Sequence, residues 1–322
     1  MPTRREFLES SALIAFGMPA GRFETQNPGA PTKGSTREEL VTVRTEDGLV
    51  MTGLQVTPER LASRPLAVIW IHGAGTNFYL PSYVNIARAT ASLGYPFITG
   101  NTRMHDIGSV LTYQPAQLRG GSYWGLPSKE PLDIAAWVAH TSARGYQEVV
   151  LVGHSAGGPA ARSYLAQRDD ARVVGLVMAS VGVDPSQAGI EDPERLKTAR
   201  EMVASGRPGD FLPNLRLSAA TYVDYADTPP EMRDFYGAKT PNPAITRIRC
   251  PLLAWFGSRE PDIGTSADLQ RLRELIGRHP LGPARVETQI VEGADHFYVG
   301  QETQIARVLT EWIGRLPPRA PK

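Results

Sequence analysis

The stretch Glu148-Val149-Val150-Leu151-Val152-Gly153-His154-Ser155-Ala156-Gly157-Gly158-Pro159-Ala160-Ala161-Arg162-Ser163-Tyr164-Leu165-Ala166 decides the fold. An apolar run of strand length (148–152) leads into Gly-x-Ser-x-Gly, and a helix-forming run (159–166) follows it. A serine at so sharp a strand-to-helix turn takes a strained backbone conformation. Side chains at positions 153 and 157 would collide with neighbouring backbone, which explains the two glycines. The turn lifts Ser155 Oγ above the sheet. It also sets the Ala156 N–H at a helix start, where donors are unpaired and the helix dipole favours negative charge.

Outward from this turn the periodicities alternate. Residues 40–44 and 49–56 read as two strands joined at Asp47-Gly48, a hairpin turn signal. Residues 66–71 are a continuous apolar run, as expected of a strand buried on both faces. A helix over 82–93 is stopped by Gly94, a short strand covers 96–99, and a helix with proline near its start covers 131–141. After the turn come a helix at 157–168, strands at 173–179, 251–256 and 285–291, and helices at about 265–276 and 300–314. A hairpin followed by alternating strand and helix is an α/β pattern: a mostly parallel sheet with helices on both faces. The serine turn then ends the third strand of the parallel series, and a functional site is expected at the carboxyl ends of these strands. Residues 184–246 interrupt the alternation with charged helical and aromatic stretches and frequent proline. They read as a small helical cap inserted between two strands.

Gly153-His154-Ser155-Ala156-Gly157 in this setting resembles the nucleophile elbow of the α/β-hydrolase superfamily, and the resemblance covers residues 38–316. It implies a core made of 38–183 and 247–316, a cap at 184–246, and a Ser–acid–His triad in that chain order. Of the six histidines only His296, in Gly293-Ala294-Asp295-His296 after the last strand, stands where the superfamily has its base. Asp295 is expected to serve local hydrogen bonding. The acid is expected on Gly257-Ser258-Arg259-Glu260-Pro261-Asp262, where the pattern G-x-x-D-P puts Glu260 in register and leaves Asp262 as the alternate. The oxyanion donors implied are the backbone N–H groups of Ala156 and of Ala74, which follows Ile71-His72-Gly73. His72 is expected to order that loop. Two further loops, 101–106 and 120–125, emerge on the same side; they either shape an acyl or alcohol pocket or are ordinary loop packing in which Arg103 pairs with Asp106, and the second reading is expected.

The rest of the composition narrows the function by exclusion. With 322 residues, 41 % hydrophobic and 21 % charged, the chain has the length and composition for a sizeable core. A formal net charge of +1 offers no bulk attraction for nucleic acid. Cys250 is the only cysteine, so no intrachain disulfide forms, and no Cys/His spacing suits a metal. No cofactor is expected. Thr3-Arg4-Arg5-Glu6-Phe7-Leu8, followed by an apolar run too short to span a bilayer, resembles a bacterial twin-arginine export signal at 1–20. That resemblance implies the export machinery as a partner and a periplasmic or secreted protein, and residues 21–37 read as a flexible linker between signal and domain.

The resulting expectation is a serine hydrolase cleaving a small-molecule carboxylic ester or related acyl bond through an acyl-enzyme on Ser155. An acyltransferase, amidase or peptidase would use the same residues. A non-catalytic binding protein of this fold would ordinarily lack a triad member, and haloalkane or epoxide chemistry would want a carboxylate in place of Ser155.

Overall fold

The computed structural model describes residues 36–64, 66–113, 116–182, 192–283 and 285–317. The twin-arginine segment, and the linker up to residue 35, lie outside these residues. The first strand, β1 (Thr36–Arg44), takes up the last two residues of the expected linker and pairs antiparallel with β2 (Leu49–Pro58). Gly48 sits between them at φ 91°, as the hairpin turn requires.

Six strands form the parallel body of one ten-stranded sheet: β3 (Leu66–Ile71), β4 (Phe97–Gly100), β7 (Glu148–His154), β8 (Val173–Ala179), β9 (Leu252–Gly257) and β10 (Val286–Val291). Their spatial order is β10-β9-β8-β7-β3-β4, continued by β2. The chain therefore steps outward from β3 to β4 and then returns to the other side of β3 as β7. That reversal opens a crevice beyond the carboxyl ends of β3 and β7. Ile71 and Gly153 are register partners there, so the loops starting at His72 and His154 emerge side by side.

Every residue of β3 and β7 is buried, as the apolar runs 66–71 and 149–152 foretell. Alternate residues enter two separate apolar clusters because strand side chains alternate in direction. Ala67, Ile69, Val149 and Leu151 face one layer; Val68, Trp70, Val150 and Val152 face the other. The first layer is covered by α2 (Glu130–Ala143), α3 (Gly157–Arg168) and α7 (Ser266–Gly277), the second by α1 (Pro81–Ser92) and α8 (Glu302–Gly314). Helix starts follow local chemistry: Pro81 and Pro131 open α1 and α2, and Thr265 with Asp268 forms a capping box on α7.

Two regions depart from the expected pattern. Where no element is expected, a second antiparallel strand pair forms from β5 (Ser109–Tyr113) and β6 (Gln117–Gly120), joined to β2 through Leu49 and Val50. Within the described part of the insertion, 192–246, the packing divides. Helices α4 (Pro193–Ala204) and α5 (Ala219–Ala226) share a small cluster of their own around Ala199, Met202, Leu217 and Tyr222. The stretch from α6 (Pro230–Arg233) onward rejoins the main core through Met232, Phe235 and Ile245. There the Arg162 guanidinium of α3 lies over the Phe235 and Tyr236 rings.

Candidate active site

At the end of β7, Ser155 holds φ 50°, left-handed backbone that costs a non-glycine residue roughly 1–3 kcal/mol. Tertiary bonds fix it: Ser155 N–H donates to the Ala179 carbonyl (2.9 Å), and Gly158 N–H donates to the Ser155 carbonyl (3.0 Å). The glycine requirement has the cause read from the sequence. A Cβ on Gly153 would stand 2.4 Å from the Gly157 carbonyl oxygen, and one on Gly157 2.5 Å from that of Ile71.

Two loops on the same side bring an acid to a histidine. Glu260 lies three residues past Gly257, and the loop folds back so that Gly257 N–H donates to Glu260 Oε1 (2.5 Å). The other oxygen, Oε2, accepts from His296 Nδ1 at 2.7 Å. Both residues are buried, at 5 % and 8 % exposure. Asp262 is exposed, two residues further along the same loop. Asp295 accepts from the N–H groups of Phe297 and Val299 (both 3.1 Å) and so shapes the loop that carries His296.

Behind the carboxylate stands a row of donors that no sequence pattern announces. Ser180 Oγ donates to Glu260 Oε1 (2.5 Å). A hydroxyl has one proton, so Ser180 must accept from Tyr298 Oη, 2.6 Å away, and Tyr298 in turn accepts from Trp255 Nε1 (3.0 Å). Burial, and then the Glu260 charge, hold the Tyr298 phenol well above its ordinary pKa, so it keeps its proton. Ser180 and Tyr298 both have positive φ (53° and 60°), backbone strain gathered at one spot. The available signal for Ser180 is its place directly after β8, at a strand's carboxyl end.

The loop after β3 presses against the serine. A Cβ on Gly73 would stand 3.0 Å from Ser155 Cβ. His72 braces this loop, as expected. Its Nδ1 donates to the Gly73 carbonyl (2.9 Å), and Nε2 accepts from Thr102 N–H (3.1 Å). Burial lowers its pKa to about 4, so the ring stays neutral. The N–H groups of Gly73, Gly75 and Thr76 are taken by Tyr83 Oη, Ser122 Oγ and the Gly73 carbonyl. Among the described residues, Ala74 N–H and Ala156 N–H have no acceptor. They are the two donors proposed for an oxyanion.

The remaining loops differ from expectation. Arg103 does not pair with Asp106. It turns inward to Asp133 (2.7 Å) and Asp47 (3.0 Å): the guanidinium is buried, and the buried Asp133 carboxylate on a neighbouring helix meets it there. Asp106 instead accepts from Asn77 Nδ2 (2.7 Å) and faces His105. The 120–125 loop is where the inserted helices rest. Ser218 N–H donates to the Tyr123 carbonyl (2.9 Å), Trp124 Nε1 to the Gly209 carbonyl (2.8 Å), and the Trp124 and Phe211 rings lie 4.6 Å apart.

Comparison with known proteins places this arrangement. No curated protein matches the chain. Solved structures match its fold at low identity. DcsB, in complex with its substrate analogue, aligns with a TM-score of 0.63 at 17 % identity, covering 87 % of this chain and 100 % of that one. Est1E from Butyrivibrio proteoclasticus, with ferulic acid bound, aligns at 0.58 and 15 % identity over 86 % and 99 % of the two chains. The Pyrococcus furiosus esterase Pf2001 aligns at 0.52 and 16 % identity over 86 % and 94 %. The model of the alpha/beta hydrolase family matches residues 68–308, three quarters of the sequence, and with the sheet order, the strained elbow and the buried acid–histidine pair already described, the chain belongs to that family.

Proposed function

We propose that the protein is a serine hydrolase that cleaves a carboxylic ester or related acyl bond through an acyl-enzyme on Ser155. The observation that carries this reading is the buried bond between His296 Nδ1 and Glu260 Oε2, on the rim where the strained Ser155 turn also lies. A carboxylate on Nδ1 keeps that proton in place and leaves Nε2 free of one, so the ring is set to act as a base through Nε2. His296 takes the Ser155 proton as Oγ attacks the acyl carbon, and Glu260 stabilises the imidazolium that results. The carbonyl oxygen, now negative, is met by the Ala74 and Ala156 N–H groups, and the proton passes to the departing alcohol. Water repeats the sequence on the acyl-enzyme. Esterases among the fold's structural neighbours support esters as the substrate class.

Ser155→Ala tests the reading. Turnover of an activated ester should fall about 10⁴–10⁶-fold, as for triad deletions elsewhere, with the circular dichroism spectrum unchanged. Retained turnover in the purified variant contradicts it. The setting we propose is outside the cytoplasm, on the strength of Arg4-Arg5 and the apolar run behind them. Replacing both arginines by lysine should stop export in a bacterial host, and undiminished periplasmic protein would refute the signal.

A further inference from the structure

Tyr83 of α1 and His154, the residue before the serine, play no part in the chemistry just described, yet together they join the three segments it depends on. Gly73 N–H donates to Tyr83 Oη (3.2 Å), Tyr83 Oη lies 2.7 Å from His154 Nδ1, and His154 Nε2 lies 2.8 Å from the His296 carbonyl oxygen. The proton positions follow from the partners. A carbonyl only accepts, so Nε2 carries a proton. Burial, and next the nearby His296 ring, drive the His154 pKa well below its ordinary value, so the ring is neutral and Nδ1 is bare. Tyr83 must then donate to Nδ1. Burial pushes its pKa up to about 12, so it has a proton to give. Its other hydroxyl neighbour, Thr76 Oγ1 at 3.5 Å, already donates to the Gly73 carbonyl. The donors therefore run in one direction, from Gly73 N–H through Tyr83 and His154 to the His296 carbonyl.

We propose that Tyr83 and His154 are positioning residues, a neutral strut that holds the Ala74 loop and the His296 loop at fixed distances from Ser155. The proposal rests on the reading of Ser155 and His296 as nucleophile and base. His154 is the chain neighbour of Ser155, Gly73 of Ala74, and the last acceptor is the backbone of His296 itself, so the strut is anchored at each reacting segment. Packing leaves it little freedom. His154 is fully buried, stacked on Trp70 and set edge-on to Tyr298. With phenylalanine at 83, Gly73 N–H and His154 Nδ1 become buried groups without partners, and the loops shift to find others.

The test is steady-state kinetics on an activated ester, with thermal melts and the rate of labelling by a fluorophosphonate. The proteins are the wild type, Tyr83→Phe, His154→Leu, His154→Gln and the Tyr83→Phe/His154→Leu double variant. Displacements of about an ångström at reacting groups cost up to about a hundredfold, so Tyr83→Phe and His154→Leu should each lose about ten- to a hundredfold in kcat. KM should stay within about threefold, because neither residue meets the substrate. His154→Gln, whose carboxamide offers the same acceptor and donor, should recover most of the loss. The double variant should be no slower than the slower single one, since either change breaks the same strut. Wild-type kcat in Tyr83→Phe, multiplying losses in the double variant, or no recovery with glutamine would each overturn the proposal. Should Tyr83→Phe fail to fold, the two His154 variants decide on the same criteria. A wild-type protein that the fluorophosphonate does not label would defeat the serine reading itself, whereas a labelled wild type with an unaffected Tyr83→Phe defeats the strut alone.

Discussion

Two buried carboxylates lie on either side of the switch point of the sheet, and their surroundings differ in kind. Glu260, beyond β9, is met by three donors: Gly257 N–H, Ser180 Oγ and His296 Nδ1. Glu130, at the start of α2, accepts from Thr102 Oγ1 (2.9 Å), and the like charge of Asp133 acts on it more strongly than the opposite charge of Arg103. Burial, with Asp133 adding to it, pushes the Glu130 carboxyl up to about 8, so it holds its proton at neutral pH. Burial alone therefore does not make a working carboxylate. The donors around Glu260 aim it at an imidazole, whereas Glu130 is a protonated group braced against a loop.

Exchanging each acid for its amide gives the largest contrast. Glu260→Gln should depress kcat about 10³–10⁴-fold, because the amide favours the wrong imidazole tautomer and cannot balance the imidazolium charge. Asp262→Asn, on an exposed position of the same loop, should change kcat less than about tenfold. A large loss in Asp262→Asn beside a near-normal Glu260→Gln would show that the wrong carboxylate had been assigned.

A smaller effect sharpens the role of the donors. Ser180→Ala removes the hydroxyl between Tyr298 and Glu260, and should lower kcat roughly tenfold while leaving KM nearly unchanged. Activity equal to the wild type would mean that Gly257 N–H suffices to aim the carboxylate.

Smallest in activity, but readable in stability, is Glu130→Gln. The Glu130 pKa is raised on folding from 4.5 to about 8. The folded protein thus keeps a proton that the unfolded chain has lost, and the stability this group contributes falls as pH rises through that window. The amide keeps the acceptor for Thr102 and removes the titration. Between pH 5 and pH 8 the melting temperature of the wild type should fall more steeply than that of the variant, with kcat within about threefold. Parallel declines would contradict a raised Glu130.

The same contrast explains what was legible in the sequence. β3 and β7 are readable because burial on both faces leaves unbroken apolar runs, and the elbow because close backbone contact admits only glycine at 153 and 157. Glu260 is readable through its spacing from Gly257. What the chain hides is fixed by partners far away in sequence. Ser180 meets Glu260 across 80 positions and Tyr83 meets His154 across 71, and no local spacing encodes either bond. Local sequence points Arg103 to Asp106 for that reason, whereas its carboxylates, Asp133 and Asp47, lie on α2 and in the first hairpin turn. The β5–β6 pair escaped because its strands are short and leave Val110 and Leu118 exposed, which blurs the alternation that marks a strand with one buried face.

The account turns on Ser155 as the nucleophile, and mass spectrometry of the protein after treatment with a fluorophosphonate addresses that most directly. The predicted result is a single covalent adduct on the peptide containing Ser155, absent from Ser155→Ala and formed far more slowly in Glu260→Gln. An adduct on another residue, or none on a folded protein that still hydrolyses esters, would contradict it.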